Sequence, residues 1–244
     1  MNAAMGTNLT VFALALALLV PLRAAAVDVA VPPSSSSSSA TTGITAETPS
    51  VPTPAQSTTA PTPAIAAPKP AVVRVSVQTD LGTIVLELEK DRAPITTANF
   101  LRYAKEKRFD GTTFYRAMKI GAGDGLIQAG TSGNPKRNLK PIKHEPTTLT
   151  GLSHVEGAVS MARGTPGTAA GDFFIVIGTL SSLDADPSQS GDNFGYAVFG
   201  HVVAGMETVL RIGDAPTSAT QGDGAMKGQM IAAPIKIIAV KRLP

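Results

Sequence analysis

The sequence predicts a mainly β fold, a closed antiparallel barrel of about eight strands capped by two α-helices. Short alternating or apolar runs, two stretches with helical spacing and short glycine-bearing connections together predict it. Closure also disposes of exposed sheet edges.

Folded sequence begins at Val72. Val73, Val75 and Val77 alternate with Arg74, Ser76 and Gln78; after the turn Thr79-Asp80-Leu81-Gly82, Ile84, Leu86 and Leu88 share one face, which makes a β-hairpin. Asp91 to Pro94 opens a helix in which Ile95, Ala98, Leu101 and Ala104 recur at threes, with Phe100 widening the stripe. Further strands are expected at Thr113–Met118, Leu126–Ala129, Ala158–Ala162, Phe173–Ile177, Ala197–Val203 and Ile235–Val240. Met206, Val209, Leu210 and Ile212 share one face of a second helix.

The first seventy residues are of another kind. Of 244 residues 43% are hydrophobic, yet from Asp28 to about Ala71 the chain is Ser, Thr, Pro and Ala with almost no large apolar side chain. Such a segment cannot bury enough surface to offset its ordering entropy, so 27–71 is expected to be a disordered tether. As a coil it spans on the order of 40 Å. Before it, residues 9–22 form an apolar run of 14 without a charge, too short for the roughly 20 residues that a bilayer core demands. Pro21 breaks the run and Ala24-Ala25-Ala26 offers a cleavage site, so 1–26 is expected to be a signal peptide and the protein exported, into a periplasm. No Lys or Arg precedes the run, and an uncleaved anchor lengthened by residues 3–8, with the domain outside the cytoplasm, is the alternative. With the leader cleaved, no stable membrane insertion is expected.

The absence of cysteine removes disulfide frameworks, cysteine nucleophiles and thiolate zinc sites. A formal charge of +3 does not point to nucleic acid. His144, His154 and His201 lack metal-ligand spacing, so no metal is expected. The glycine-rich Gly121–Gly125 is followed by no Gly-Lys-Ser/Thr and reads as a connector, not a phosphate loop. A Ser-His-Asp triad stays open, although no Gly-x-Ser-x-Gly elbow nominates a nucleophile. Asp184 and Asp186 read as turn residues, with paired carboxylates of a small hydrolase as the other possibility.

Four segments in order carry a resemblance: Phe114-Tyr115-Arg116; Leu126-Ile127-Gln128-Ala129-Gly130; Gly157 to Arg163; and Phe173-Phe174-Ile175 followed by Phe194 to Gly200. With Ala93-Pro94 and Asn99-Phe100, residues 73 to 243 resemble a cyclophilin-type peptidyl-prolyl cis-trans isomerase of the bacterial exported kind. The resemblance implies an eight-stranded barrel with a helix closing each end and a proline-binding groove on its outer surface. It further implies no cofactor and proline-containing polypeptide clients; the chain is expected to be a monomer. Arg116 and Gln128 take the catalytic positions, Gln128 contacting the substrate carbonyl. Phe174, Leu126 and Leu183 line the proline pocket together with Phe114, and the backbone at Ala162-Arg163 holds the preceding peptide. Asp172 and Tyr196 are further contacts. Phe173 and Phe174 point to opposite faces, and Phe174 is assigned to the pocket.

From the residues alone, strict alternation puts Arg116 on one face with Phe114 and Met118, and Gln128 with Leu126. The plainer reading of Arg116 is a strand arginine laid over aromatic neighbours. The chemistry itself asks for little. An amide rotates over roughly 18–20 kcal/mol because the nitrogen lone pair is conjugated; at the twisted midpoint that nitrogen becomes basic, and a guanidinium aimed at it binds the transition state selectively. About a 10⁵-fold acceleration needs roughly 7 kcal/mol, more than one charge-assisted hydrogen bond, so holding the proline ring and excluding water supply the rest.

The chain also departs from the family pattern. Gly125 stands where an aromatic usually precedes the glutamine strand's Leu, Ser182 where Trp or Phe is common, Asp172 where Gln, Ser or Glu is usual. These changes bear on efficiency, and they motivate an alternative in which the groove belongs to a non-catalytic proline-peptide-binding module or holdase.

Overall fold

A computed structural model describes residues 71–121 and 123–244. The expected signal peptide and tether lie outside them. Nine strands form the sheet: β1 (Val72–Thr79), β2 (Gly82–Glu89), β3 (Thr113–Ile120), β4 (Asp124–Gly130), β5 (Ala158–Met161), β6 (Asp172–Ile177), β7 (Ala197–Ala204), β8 (Thr217–Ser218) and β9 (Met230–Arg242). Eight of them pair in the order β1-β2-β7-β5-β6-β4-β3-β9, and β9 returns to β1, all antiparallel, so the barrel closes. The two-residue β8 is an appendage on β9.

The interior is filled by the alternate residues the pattern promised. Val75, Val77, Ile84, Leu86 and Leu88 from the first hairpin meet Phe114, Ile127, Phe173 and Phe199 in one buried cluster. Helix α1 (Pro94–Lys105) adds Phe100, Tyr103 and Ala104; helix α3 (Met206–Gly213) adds Val209 and Ile212. A one-turn helix α2 (Thr147–Thr150), absent from the sequence reading, lies between β4 and β5. The N-terminus of α1 is capped from a distance. Pro94 pre-sets its first turn, Ala93 offers no side-chain cap, and the buried Glu145 carboxylate accepts from the Ile95 and Thr96 N–H groups at 3.1 and 2.8 Å. Asp91, expected at the helix start, instead accepts from the Ala71 N–H.

Pairing between β3 and β9 is broken in a way that shapes the outer surface. Phe114 faces Ile235 and Arg116 faces Met230, so residues 231–234 have no partner on β3. Pro234 lies in this stretch and cannot donate, while the Ala232 N–H turns to the Pro216 carbonyl. The long bulge starts β9 five residues before the expected Ile235 and swings residue 229 against β3, where the Ala117 N–H donates to the Gln229 carbonyl at 2.9 Å.

Candidate active site

A second buried cluster lies on the opposite face of the sheet from the interior: Met118, Leu126, Ala158, Ala162, Phe174, Val176, Leu180, Leu183 and Val198, with Tyr196 packed against it. It therefore brings together Leu126, Ala162, Phe174, Leu183 and Tyr196. The two phenylalanines divide as assigned. Phe173 points inward, its ring centroid 5.2 Å from Phe100, whereas Phe174 points outward, edge-on to Tyr196 at 5.6 Å and stacked on His154 at 5.7 Å.

Phe114 is corrected. It is fully buried in the interior, 6.0 Å from Phe173, and does not share a face with Arg116. The reason is a bulge: Phe114 pairs with Ala129 and Arg116 with Gln128, so Tyr115 is an extra residue and the alternation slips by one. Strict period-two counting from 114 to 116 fails at this point.

Arg116 and Gln128, neighbours across β3 and β4, are joined by a hydrogen bond from Arg116 Nη1 to Gln128 Oε1 at 2.8 Å. The Gln128 amide is oriented from its other end, where Nε2 donates to the Tyr115 hydroxyl at 2.7 Å; that hydroxyl donates onward to Asp172 at 3.4 Å. Burial and the neighbouring Asp172 hold the Tyr115 phenol well above its ordinary range, so it stays a neutral O–H able to accept and donate at once. Burial also raises the Asp172 carboxyl, partly offset by N–H donors from Ser132 and Gly133. Asp172 thus touches the cluster through Tyr115 and not as a wall of it. Arg116 is wholly buried, and desolvation draws its guanidinium below the usual range, partly countered by the Tyr115 and Tyr196 phenols. Three of its N–H contacts run to amide oxygens: one to Gln128, and Nε and Nη2 to Gln229 Oε1 at 2.8 and 2.6 Å. A further Nη2 contact rests on the Met118 sulfur at 3.5 Å, a weak acceptor on a flexible side chain.

Around this centre, Arg163 is committed. Its guanidinium grips Asp192 at 2.6 and 2.9 Å and the Gly195 carbonyl, and lies 4.9 Å over the Tyr196 ring. What it leaves for a ligand is backbone. The Asp184 side chain, read as a turn residue, accepts from His154 Nδ1 at 2.6 Å and from Ser153, while His154 Nε2 meets the Ser160 hydroxyl at 2.9 Å. Burial raises the Asp184 carboxyl, but its bonds to His154 and Ser153 together outweigh that and leave it lowered. Both His154 and Ser160 are fully buried. Gly125 has a local cause: a Cβ there would lie 2.2 Å from the Met118 carbonyl, so this hairpin excludes an aromatic at the position. Sequence reasoning missed Tyr115, His154 and Gln229 as members of the site; only a bulge signal between Phe114 and Arg116 could have found the first.

The model of the family described as cyclophilin type peptidyl-prolyl cis-trans isomerase matches residues 74–241. The chain belongs to this cyclophilin family. A peptidyl-prolyl cis-trans isomerase of Acinetobacter baylyi is 36% identical over 171 residues, 68% of this chain and 84% of that protein. Peptidyl-prolyl cis-trans isomerase B of Escherichia coli is 34% identical over 143 residues, 57% and 82% of the two chains. The fold matches a cyclophilin-type isomerase of Cryptosporidium parvum solved in the presence of the dipeptide Ala-Pro, with TM-score 0.56, 23% identity, and 70% and 99% of the chains covered. The protein is accordingly a peptidyl-prolyl cis-trans isomerase on a cyclophilin barrel.

Proposed function

We propose that this cyclophilin isomerises Xaa-Pro bonds in exported proteins, in a periplasm, as a monomer, and that its reacting centre is the Arg116–Gln128 pair set into the outer apolar cluster. The observation that carries the site is a single cation joined to an amide oxygen at 2.8 Å beside Met118, Leu126 and Phe174. A proline ring seats against Leu126, Phe174 and Leu183. The Met118 side chain swings away, and the Nη2 proton it held becomes available to the imide nitrogen. In the planar amide that nitrogen has no lone pair to offer; in the twisted amide it does, so the contact strengthens only toward the transition state. Gln128 receives the adjoining peptide through its amide, and the Ala162-Arg163 backbone aligns the chain on the preceding side. The leader-like run at 9–22 and the tether at 27–71 support the exported setting.

The test is isomerisation of an Ala-Pro peptide by residues 72–244 with and without Arg116→Ala. Turnover is expected to fall at least about tenfold, the loss of one charge-assisted hydrogen bond. Equal turnover of a folded Arg116→Ala protein would remove Arg116 from the chemistry. N-terminal sequencing of the protein recovered from outside the cytoplasm tests the leader; a chain still starting at Met1 favours the anchored alternative.

A further inference from the structure

We propose that Gln229 is a second positioning residue for Arg116, and that its being an amide and not a carboxylate keeps the guanidinium charge available to the substrate. The inference rests on the reading of Arg116 as the catalytic cation.

Gln229 sits at the end of segment 219–229, which joins β8 to β9. The break in β3–β9 pairing delivers it to Arg116. Its backbone is pinned by the Ala117 N–H at 2.9 Å, and its side-chain Nε2 donates to the Ala225 carbonyl at 2.8 Å. With Nε2 so engaged, Oε1 must face Arg116, where it takes both Nε and Nη2. Gln128 holds Nη1 from the other side. A planar guanidinium gripped at both edges by oriented amides cannot rotate about its long axis, so the second Nη2 proton has a fixed direction, toward the Met118 sulfur in the outer cluster. One amide oxygen here takes both N–H groups, where a carboxylate would offer two oxygens and a charge-assisted pair at least as strong. Here that strength would be harmful. A carboxylate at the same place would hold the group equally well while cancelling the positive field that the pyramidal nitrogen needs, and it would set a like-charged oxygen against the Ala225 carbonyl.

The experiment compares the full chain with Gln229→Glu and Gln229→Met, reading kcat and KM on an Ala-Pro peptide, the affinity for an inert proline peptide, and the thermal midpoint. Gln229→Glu is expected to lower kcat about tenfold, with peptide affinity within about twofold. Gln229→Met fills the space without an acceptor and lowers kcat by a similar factor through lost aim. A merely structural role predicts that kcat tracks the fraction folded, so loss of kcat at an assay temperature well below the midpoint of a folded variant is the discriminating result. Both variants folded with kcat within twofold of the parent overturn the inference; should Gln229→Glu melt, Gln229→Met decides alone. The unmodified chain and Arg116→Ala run alongside: no acceleration by the parent, or an unaffected Arg116→Ala, would refute the reading of Arg116 and take this inference with it. An active parent with an impaired Arg116→Ala and indifferent Gln229 variants refutes only the inference.

Discussion

Replacing Tyr115 by Phe removes one hydroxyl and tests the hydrogen-bonded chain from Asp172 to Arg116. In the native structure the Gln128 amide is satisfied at both ends, Oε1 by Arg116 at 2.8 Å and Nε2 by Tyr115 at 2.7 Å. Gln128 is almost wholly buried, so without the hydroxyl its Nε2 becomes an unpaired donor shielded from water. Leaving such a group unsatisfied costs about 1–3 kcal/mol. Turning the amide over is no remedy, because the NH₂ would then face the guanidinium and forfeit a charge-assisted bond of about 1.5–3 kcal/mol. The amide therefore stays oriented but loosely held. If about 1 kcal/mol of that cost falls on the transition state, kcat/KM drops roughly fivefold. The folded state bears the remainder, and for a domain of this size each kcal/mol moves the thermal midpoint by roughly 2–4 °C. Protease-coupled isomerisation of an Ala-Pro peptide and a thermal melt measure the two. Turnover within twofold of the parent with an unmoved midpoint would show that the hydroxyl holds nothing. A loss well beyond about 160-fold would also refute the reasoning, since it exceeds the roughly 3 kcal/mol that one orphaned neutral donor can cost.

Three further outcomes are expected. Phe114→Ala and Phe174→Ala each open a cavity and cost about 3–5 kcal/mol of stability, since both rings are buried, but at temperatures where both variants stay folded only Phe174→Ala weakens binding of a proline peptide; chemical denaturation and peptide titration on both variants check the division of faces. Asp172 has its carboxyl raised by burial, so the folded state holds the proton more tightly than the unfolded state and loses stability as pH rises through the native value; the stability of Asp172→Asn relative to the parent should improve from pH 3 to pH 7, as urea midpoints across that range will record. Asp184 goes the other way. Its net lowered carboxyl adds stability above the unfolded value that is lost as pH falls through the native one, so the deficit of Asp184→Asn at pH 7 should close in acid.

Most of the barrel was legible because its strands obey the simplest rule available, alternate burial, and because Val72–Glu89 pairs residue for residue from Val72 with Glu89 to Thr79 with Gly82. Helix α3 was legible for the same reason, its apolar face recurring at helical spacing. The failures come where pairing is not one to one. Between Phe114 and Arg116 a single extra residue reverses the face, and nothing in the letters Phe-Tyr-Arg distinguishes a bulge from a straight strand. The early start of β9 follows from a five-residue step past Pro234 that only the assembled sheet reveals. Long-range caps are equally silent: Glu145 serves a helix start fifty residues away. Of the candidate site, Arg116, Gln128, Leu126, Phe174 and Leu183 could be placed by ordered motifs, while the hydrogen bonds of Tyr115 to Gln128 and of Gln229 to Arg116 depend on geometry those motifs do not encode.

The Ser160–His154–Asp184 chain shows why geometry between three atoms does not make a hydrolase. The distances, 2.9 and 2.6 Å, suit a nucleophile, a base and an orienting acid. A nucleophile must also meet a carbonyl, and Ser160 lies mid-strand, paired with Phe174 on one side and Val198 on the other, under a histidine that is itself stacked on Phe174. The chain does something else there. Asp184 follows Leu183 directly, and its carboxylate also accepts the His154 backbone N–H at 3.0 Å, so the His154 segment and the Leu183 turn are fastened together through it. Isomerisation makes and breaks no bond to the protein, and needs walls that keep their positions while the peptide turns. A polar staple next to Leu183, its histidine buried and bonded through both ring nitrogens, suits that requirement better than an exposed nucleophile would.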